Sequence, residues 1–170
     1  MFDEQVLVQA GCSAGVVAHS LAVSRLALSI ADAVTIPVDR DLVRQGGLLH
    51  DIGRSRTHGL DHAVAGVAIA RSLGAPERLL DVIERHIGAG IPQSEAGRLG
   101  LPEKDYLPLT PEEKIVSYAD NLIDGATETD FTAALERFKN MLGPDHEGVE
   151  LFIQQHNEIR RWMGQEIDNR

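Results

Sequence analysis

The sequence predicts an all-α fold, and three observations carry that prediction. Apolar residues recur three and four positions apart over most of the chain, the spacing that lines one face of a helix. Capping residues stand just before those runs, and Gly or Pro just after them. No stretch alternates apolar and polar residues convincingly, as a half-buried strand would.

Ser13 is placed to cap a first helix reaching about Ala33, with Val16, Val23, Leu26, Ala27 and Ile30 along its apolar positions. Ile36-Pro37 breaks that pattern. Asp39 caps a second helix, which ends near the pair His50-Asp51. Asp61 starts a third, which runs to about Leu73 and stops at Gly74. Pro76 suits the first turn of a fourth, carrying Leu79, Leu80, Ile83 and Ile87. Gly88, Gly90, Pro92, Gly97, Gly100, Pro102 and Pro108 then punctuate a long loop over 88–110, of the kind that serves as a lid or binding loop. Thr110-Pro111-Glu112-Glu113 reads as a cap and an acidic first turn that complements the helix dipole. That helix runs to about Asp124. Two more follow near 130–142 and 147–168, separated by Gly143-Pro144. The spans 1–170 read as one domain, without repeats or long linkers.

Composition narrows the function. Lys and Arg total 16 against 26 Asp and Glu, a net charge of -10. So acidic a chain lacks the basic footprint of general nucleic-acid or anionic-membrane binding, although a bound divalent cation can reverse the field within one cleft. Cys12 is the single cysteine, which rules out an internal disulfide and fits a cytoplasmic setting. The start MFDEQ is acidic and does not read as a signal peptide. The apolar stretch around 15–34 is interrupted by His19, Ser20, Ser24, Arg25 and Ser29, and reads as an amphipathic helix rather than a membrane span.

The chemistry lies in polar residues on apolar rows. His19 falls three after Val16 and four before Val23. His50 continues the row of Val43 and Gly47, and His62 begins that of Gly66, Ile69 and Leu73. His86 follows Leu79 and Ile83, and Asp120 sits between Val116 and Ile123. Asp51, at a helix end, need only turn to reach the same point. One inward histidine is ordinarily a hydrogen-bonded core residue, but an unpaired inward carboxylate is costly. A shared cation accounts for the whole set, since it satisfies the carboxylates and selects neutral imidazoles. His156 also lies on an apolar row, between Phe152 and Ile159, and reads as core or interface. His146 reads as surface, His58 as a loop residue, and Cys12 as core.

In the order His19, then His50-Asp51 within LLHDIG, then Asp120 within IVSYADNLID, the sequence resembles the HD-domain superfamily of metal-dependent phosphohydrolases in its HDIG form. The resemblance covers roughly 15–125. It implies a single HD-domain-like helical bundle with the metal site between helices, and it implies that His19, His50, Asp51 and Asp120 bind a first metal. It further implies that His62 and His86 hold a second ion, with Asp51 bridging the two ions or orienting the nucleophilic water. Without that ion, they face the phosphate and protonate the leaving oxygen. The chain departs from some relatives by having His86-Ile87 where they pair two histidines. It carries Arg54 where many carry Lys, and it lacks the extra motif of the cyclic-di-GMP phosphodiesterase branch. KIVSYADNLIDG and HIGAG are similar to small HD hydrolases acting on dinucleoside polyphosphates.

The implied activity is hydrolysis of a phosphoester or phosphoanhydride in a small, nucleotide-like phosphorylated substrate. Asp51, His62, His86 and Arg54 are the catalytic candidates, with Arg54 forking onto phosphate oxygens. Lys114, Arg56 and Lys104 are further candidate cations. The cofactor expected is one or two ions of Fe, Mn, Zn, Ni or Co. The alternatives are a nucleotide-binding sensor without turnover and a di-iron oxygenase. The residues that select the substrate are expected in the 88–110 loop. The helices over 130–168 either pack on the domain or form a homodimer interface, with Phe152, His156, Ile159, Trp162 and Met163 on the contact face.

Overall fold

A computed structural model describes residues 1–165. Its helices are α1 (Gln5–Ala10), α2 (Ala14–Ala33), α3 (Arg40–Leu49), α4 (His62–Ser72), α5 (Glu77–Glu84), α6 (Gln93–Ala96), α7 (Pro111–Leu122), α8 (Phe131–Leu142) and α9 (Glu147–Trp162). A 3-10 turn at Ile52–Ser55 follows α3, and strands β1 (Ile123–Asp124) and β2 (Thr127–Glu128) follow α7. The all-α reading holds.

Three of the caps form as read. Ser13 accepts from the Val16 N–H at 3.3 Å, Asp39 from Leu42 at 3.0 Å, and Thr110 from Glu113 at 3.3 Å. Asp61 does not cap α4. Its backbone is already helical, and its carboxylate accepts from the Thr57 hydroxyl at 2.9 Å instead. Pro76 stands at the N-cap rather than inside the first turn.

α2 packs one face on α3 and α7. Its 20 residues are long and apolar enough to cross a membrane by length and composition. Here its buried face carries Ala22, Val23, Ala27 and Ile30 into the core. Gly47 permits the closest approach of α2 and α3, because a Cβ there would lie 2.6 Å from the Ser24 Cα. The core continues through Leu49, Ile52, Ile83, Ile115 and Val116 to Phe138, Phe152 and Ile159.

α8 and α9 therefore pack inside the domain. Phe138 and Phe152 stack at 4.4 Å between ring centres, and Phe152 is fully buried. That burial stabilises the C-terminal pair by roughly 1.5–3 kcal/mol. Residues 166–168 of the expected last helix lie outside the described residues.

One expectation fails locally. The α7 helix stops at Leu122, and Ile123–Asp124 pairs antiparallel with Thr127–Glu128 around Gly125, whose φ is +61°. A ladder two residues long is too short to show any alternation in sequence. The 88–110 segment is a long loop, as read, which carries the short helix α6 and is tied across its base. Ile91 and Tyr106 exchange backbone hydrogen bonds at 3.3 and 2.9 Å. Their side chains form a small second core with Ala96 and Leu101.

Candidate metal centre

Three histidines share one local arrangement. The Nδ1 of His50 lies 2.8 Å from the Gly47 carbonyl, that of His62 2.7 Å from Gly59, and that of His86 2.7 Å from Ile83. Each acceptor is three residues earlier, so helix-end geometry supplies it. His19 Nδ1 reaches instead across the fold to the Gly125 carbonyl at 2.6 Å, within the hairpin. A carbonyl only accepts, so each Nδ1 carries its hydrogen and each neutral ring turns a lone pair outward from Nε2. Metal-binding histidines are oriented by such outer partners.

Those Nε2 atoms converge. His19 and His50 meet at 3.3 Å, and His62 and His86 at 3.0 Å. Asp120 Oδ1 lies 2.9 Å from His19 Nε2 and 3.4 Å from His50 Nε2. Asp51 divides its oxygens. Oδ2 faces His50 and His19 at 3.7 and 3.8 Å, and Oδ1 faces His62 and His86 at 3.0 and 3.4 Å. Lone pairs thus point at lone pairs in two adjoining groups. Such a donor set is repulsive until a cation or protons occupy it, and its N/O chemistry fits a divalent transition ion.

The electrostatics agree. Burial alone would lower His50, yet the Asp51 and Asp120 carboxylates raise it to about 9. Burial wins at His86, which falls below its ordinary value despite Asp51. Both carboxyls are raised by burial, but their histidine neighbours hold them well below the usual carboxylate range. Positive charge is therefore strongly favoured where the two groups meet.

Exposure is uneven. The side chains of His19 and Asp120 are 17% and 20% exposed, against 3% and 2% for His62 and His86. The His19–Asp120 group is the open side, and the Asp51–His62–His86 group is enclosed.

The HDIG glycine explains how Asp51 meets His62. A Cβ on Gly53 would fall 1.8 Å from the His62 carbonyl oxygen. Only glycine lets the 3-10 turn lie against the start of α4. Arg54, half-buried in the same turn, donates through Nε to Asp51 Oδ2 at 2.9 Å and through a terminal nitrogen to the His58 carbonyl at 3.4 Å. It was expected to fork onto phosphate. In the structure its Nε is committed to Asp51.

The other candidates lie outside the histidine cluster. Lys114 pairs with Glu158 at 2.9 Å and lies over Trp162, and Lys104 pairs with Glu84 over Tyr106. Neither belongs to the histidine cluster. Arg56 and His58 are exposed. His156 is core as read, with Nδ1 2.6 Å from the Tyr118 hydroxyl and its ring stacked on Phe131. His146 is not simply surface, since it caps α9 by accepting from Gly148 and pairs with Glu95 at 3.0 Å. Cys12 is half-buried, its Sγ 3.7 Å from the Ile52 carbonyl. Sequence reasoning missed Gly125 as the partner of His19, because no local pattern links positions so distant.

Comparison with known proteins adds the family. The model of the HD domain matches residues 16–124. An uncharacterized protein of Methanocaldococcus jannaschii is 52% identical over 155 residues, spanning 89% of this chain and 92% of that protein. A tRNA (cytidine(56)-2'-O)-methyltransferase of Picrophilus torridus is 39% identical over 154 residues. The match takes in 91% of this chain but 44% of that enzyme, so the chain spans under half its length. Among solved structures, the HD domain of the L. monocytogenes phosphodiesterase PgpH in complex with cyclic-di-AMP has a similar fold. Its TM-score is 0.56 at 19% identity, over 97% of this chain and 98% of that one.

Proposed function

The chain belongs to the HD-domain family, and from that premise we propose that it is a metal-dependent phosphohydrolase cleaving a phosphoester or phosphoanhydride of a small nucleotide-like substrate. One observation carries this reading. Asp51 offers one oxygen to each of two histidine pairs whose tautomers are already fixed. His19, His50, Asp51 and Asp120 would hold a first ion, and Asp51, His62 and His86 a second; Fe, Mn, Zn, Ni and Co all suit these donors. Bound there, a divalent cation supplies Lewis acidity toward a phosphoryl oxygen and lowers the pKa of water.

The chain's own residues do the rest. Substrate enters on the His19–Asp120 side, because the other group is enclosed. Arg54 steadies Asp51 through Nε and keeps a terminal guanidinium nitrogen for a phosphate oxygen. The His62 and His86 rings, with Nδ1 committed, present only Nε2 to the reaction; in a mononuclear site one Nε2 would accept a proton from the attacking water and pass it to the leaving oxygen. The cyclic-di-AMP held by the PgpH domain supports a nucleotide ligand. A cytoplasmic setting belongs to the same proposal and suits the single free Cys12.

A second reading places the phosphoester in RNA. It is favoured by the tRNA-modifying enzyme among the relatives, and the net charge of -10 weighs against it.

The test is a hydrolysis screen with added manganese, nickel or cobalt. The substrates are nucleotides, dinucleoside polyphosphates, cyclic dinucleotides, generic phosphoesters and a short RNA. Cleavage of a small phosphoester is expected. Tight nucleotide binding without any turnover would sink the hydrolase in favour of a sensor, and oxygen-dependent turnover would favour a di-iron oxygenase.

A further inference from the structure

His86 sits just beyond α5, and its ring has one local tie, from Nδ1 to the Ile83 carbonyl. That tie sets the ring's tilt. Its distance from Asp51 depends on where the backbone over 85–88 lies, and this backbone is gripped from α7. Arg85 donates to the buried Glu113 carboxylate at 3.0 Å. The Gly88 carbonyl accepts twice, from the Ser117 hydroxyl at 2.6 Å and from the Asn121 amide at 3.0 Å. Glu113, Ser117 and Asn121 are spaced by four and form one row along the helix. The next residue back from Asn121 is Asp120, whose Oδ1 lies 2.9 Å from His19 Nε2 on the open side.

Gln155 of α9 locks the row from behind. Its amide nitrogen donates to Ser117 Oγ at 3.0 Å, and its oxygen accepts from Asn121 at 3.4 Å. Apolar residues would also pack α9 on α7, but without direction. Fully connected buried hydrogen bonds fix one carbonyl in place, which is what a ligand held from outside requires. Gln155 lies beyond the span matched by the HD-domain family, in a helix that carries no ligand itself.

We propose that Ser117, Asn121 and Gln155 are positioning residues that hold the Gly88 carbonyl and thereby set His86 against Asp51, so that the helix carrying Asp120 also places the enclosed ligand group. This rests on the reading that Asp51, His62 and His86 hold a second cation.

The test is titration of the full metal-free chain with manganese(II), followed by calorimetry and elemental analysis, together with thermal unfolding of the metal-free forms. The variants are Ser117→Ala, Asn121→Ala and the milder Gln155→Met. Wild type is expected to take two equivalents. Ser117→Ala and Asn121→Ala should keep the first and weaken the second about 10- to 100-fold, the usual loss when an outer partner of a ligand is removed. Gln155→Met should shift in the same direction by less, which keeps the test alive if either alanine variant fails to fold. Two equivalents in wild type with second-site affinity unchanged in the variants overturns this inference alone, as does a fall in metal-free Tm with that affinity intact. One equivalent in wild type overturns it together with the two-ion reading.

Discussion

His62 Nε2 and His86 Nε2 face each other across 3.0 Å, although each ring has already given its Nδ1 hydrogen to a backbone carbonyl. Two lone pairs at that distance repel, and Asp51 Oδ1 adds a third acceptor. The arrangement is preorganised for positive charge.

Purified wild-type protein is expected to carry transition metal by elemental analysis. His50→Ala with Asp51→Ala should lose it, and His62→Ala with His86→Ala should keep the first equivalent only. Metal at wild-type level in the His50, Asp51 double variant would refute the assignment. Chelation should also lower Tm. An ion at 100 times its Kd contributes about 2.7 kcal/mol, or roughly 5–10 °C for a chain of this size.

Gly53→Ala should disrupt the enclosed group more than the open one. The added methyl must displace the His62 backbone, at a cost of about 1–3 kcal/mol for overpacking. Lower Tm with loss of the second metal equivalent is the expected pair of results. Gly74→Ala is a useful comparison, since it strains a left-handed turn far from the centre and should leave metal stoichiometry unchanged.

Arg54→Gln removes the Nε donor to Asp51 and the spare cation together. Losing a charge-assisted hydrogen bond costs about 1.5–3 kcal/mol, so kcat/KM should fall on the order of 10- to 100-fold. Arg54→Lys should recover part of it, because a point charge survives but the fork does not. Steady-state kinetics with both variants would show whether charge or fork matters, and equal loss in the two would favour the fork.

Asp39 gives a pH signature. Its pKa is lowered by the Leu42 N–H it accepts from, although partial burial works the other way, and Arg78 adds to the lowering. A depressed carboxylate contributes stability above its unfolded pKa and loses it as pH falls through the folded one. That share should therefore fade below about pH 4. Asp39→Ala should cost about 1 kcal/mol at neutral pH through the lost cap, or about 2–4 °C in Tm. Asp39→Asn retains an acceptor for Leu42, so its Tm should depend less on pH over that acidic range. Parallel pH–Tm curves for wild type and Asp39→Asn would contradict this.

The sequence by itself determined the helices and which residue types turn inward, because helical periodicity and capping act over three or four residues. His50, His62 and His86 were legible for that reason, and even their carbonyl partners lie three residues back. Only the tertiary structure decided the relations between distant segments. His19 depends on a carbonyl 106 positions away in a hairpin too short to read in sequence. Lys114 and Lys104 were candidate cations until packing placed acidic partners beside them. The last helices could have faced outward, but Phe152 fills the core and Gln155 reaches the Ser117–Asn121 row. The division of Asp51's oxygens between two histidine pairs belongs to this second kind of fact. No local rule rotates a carboxylate, and its angle follows from Gly53 letting the turn close on α4 and from Arg54 holding one oxygen.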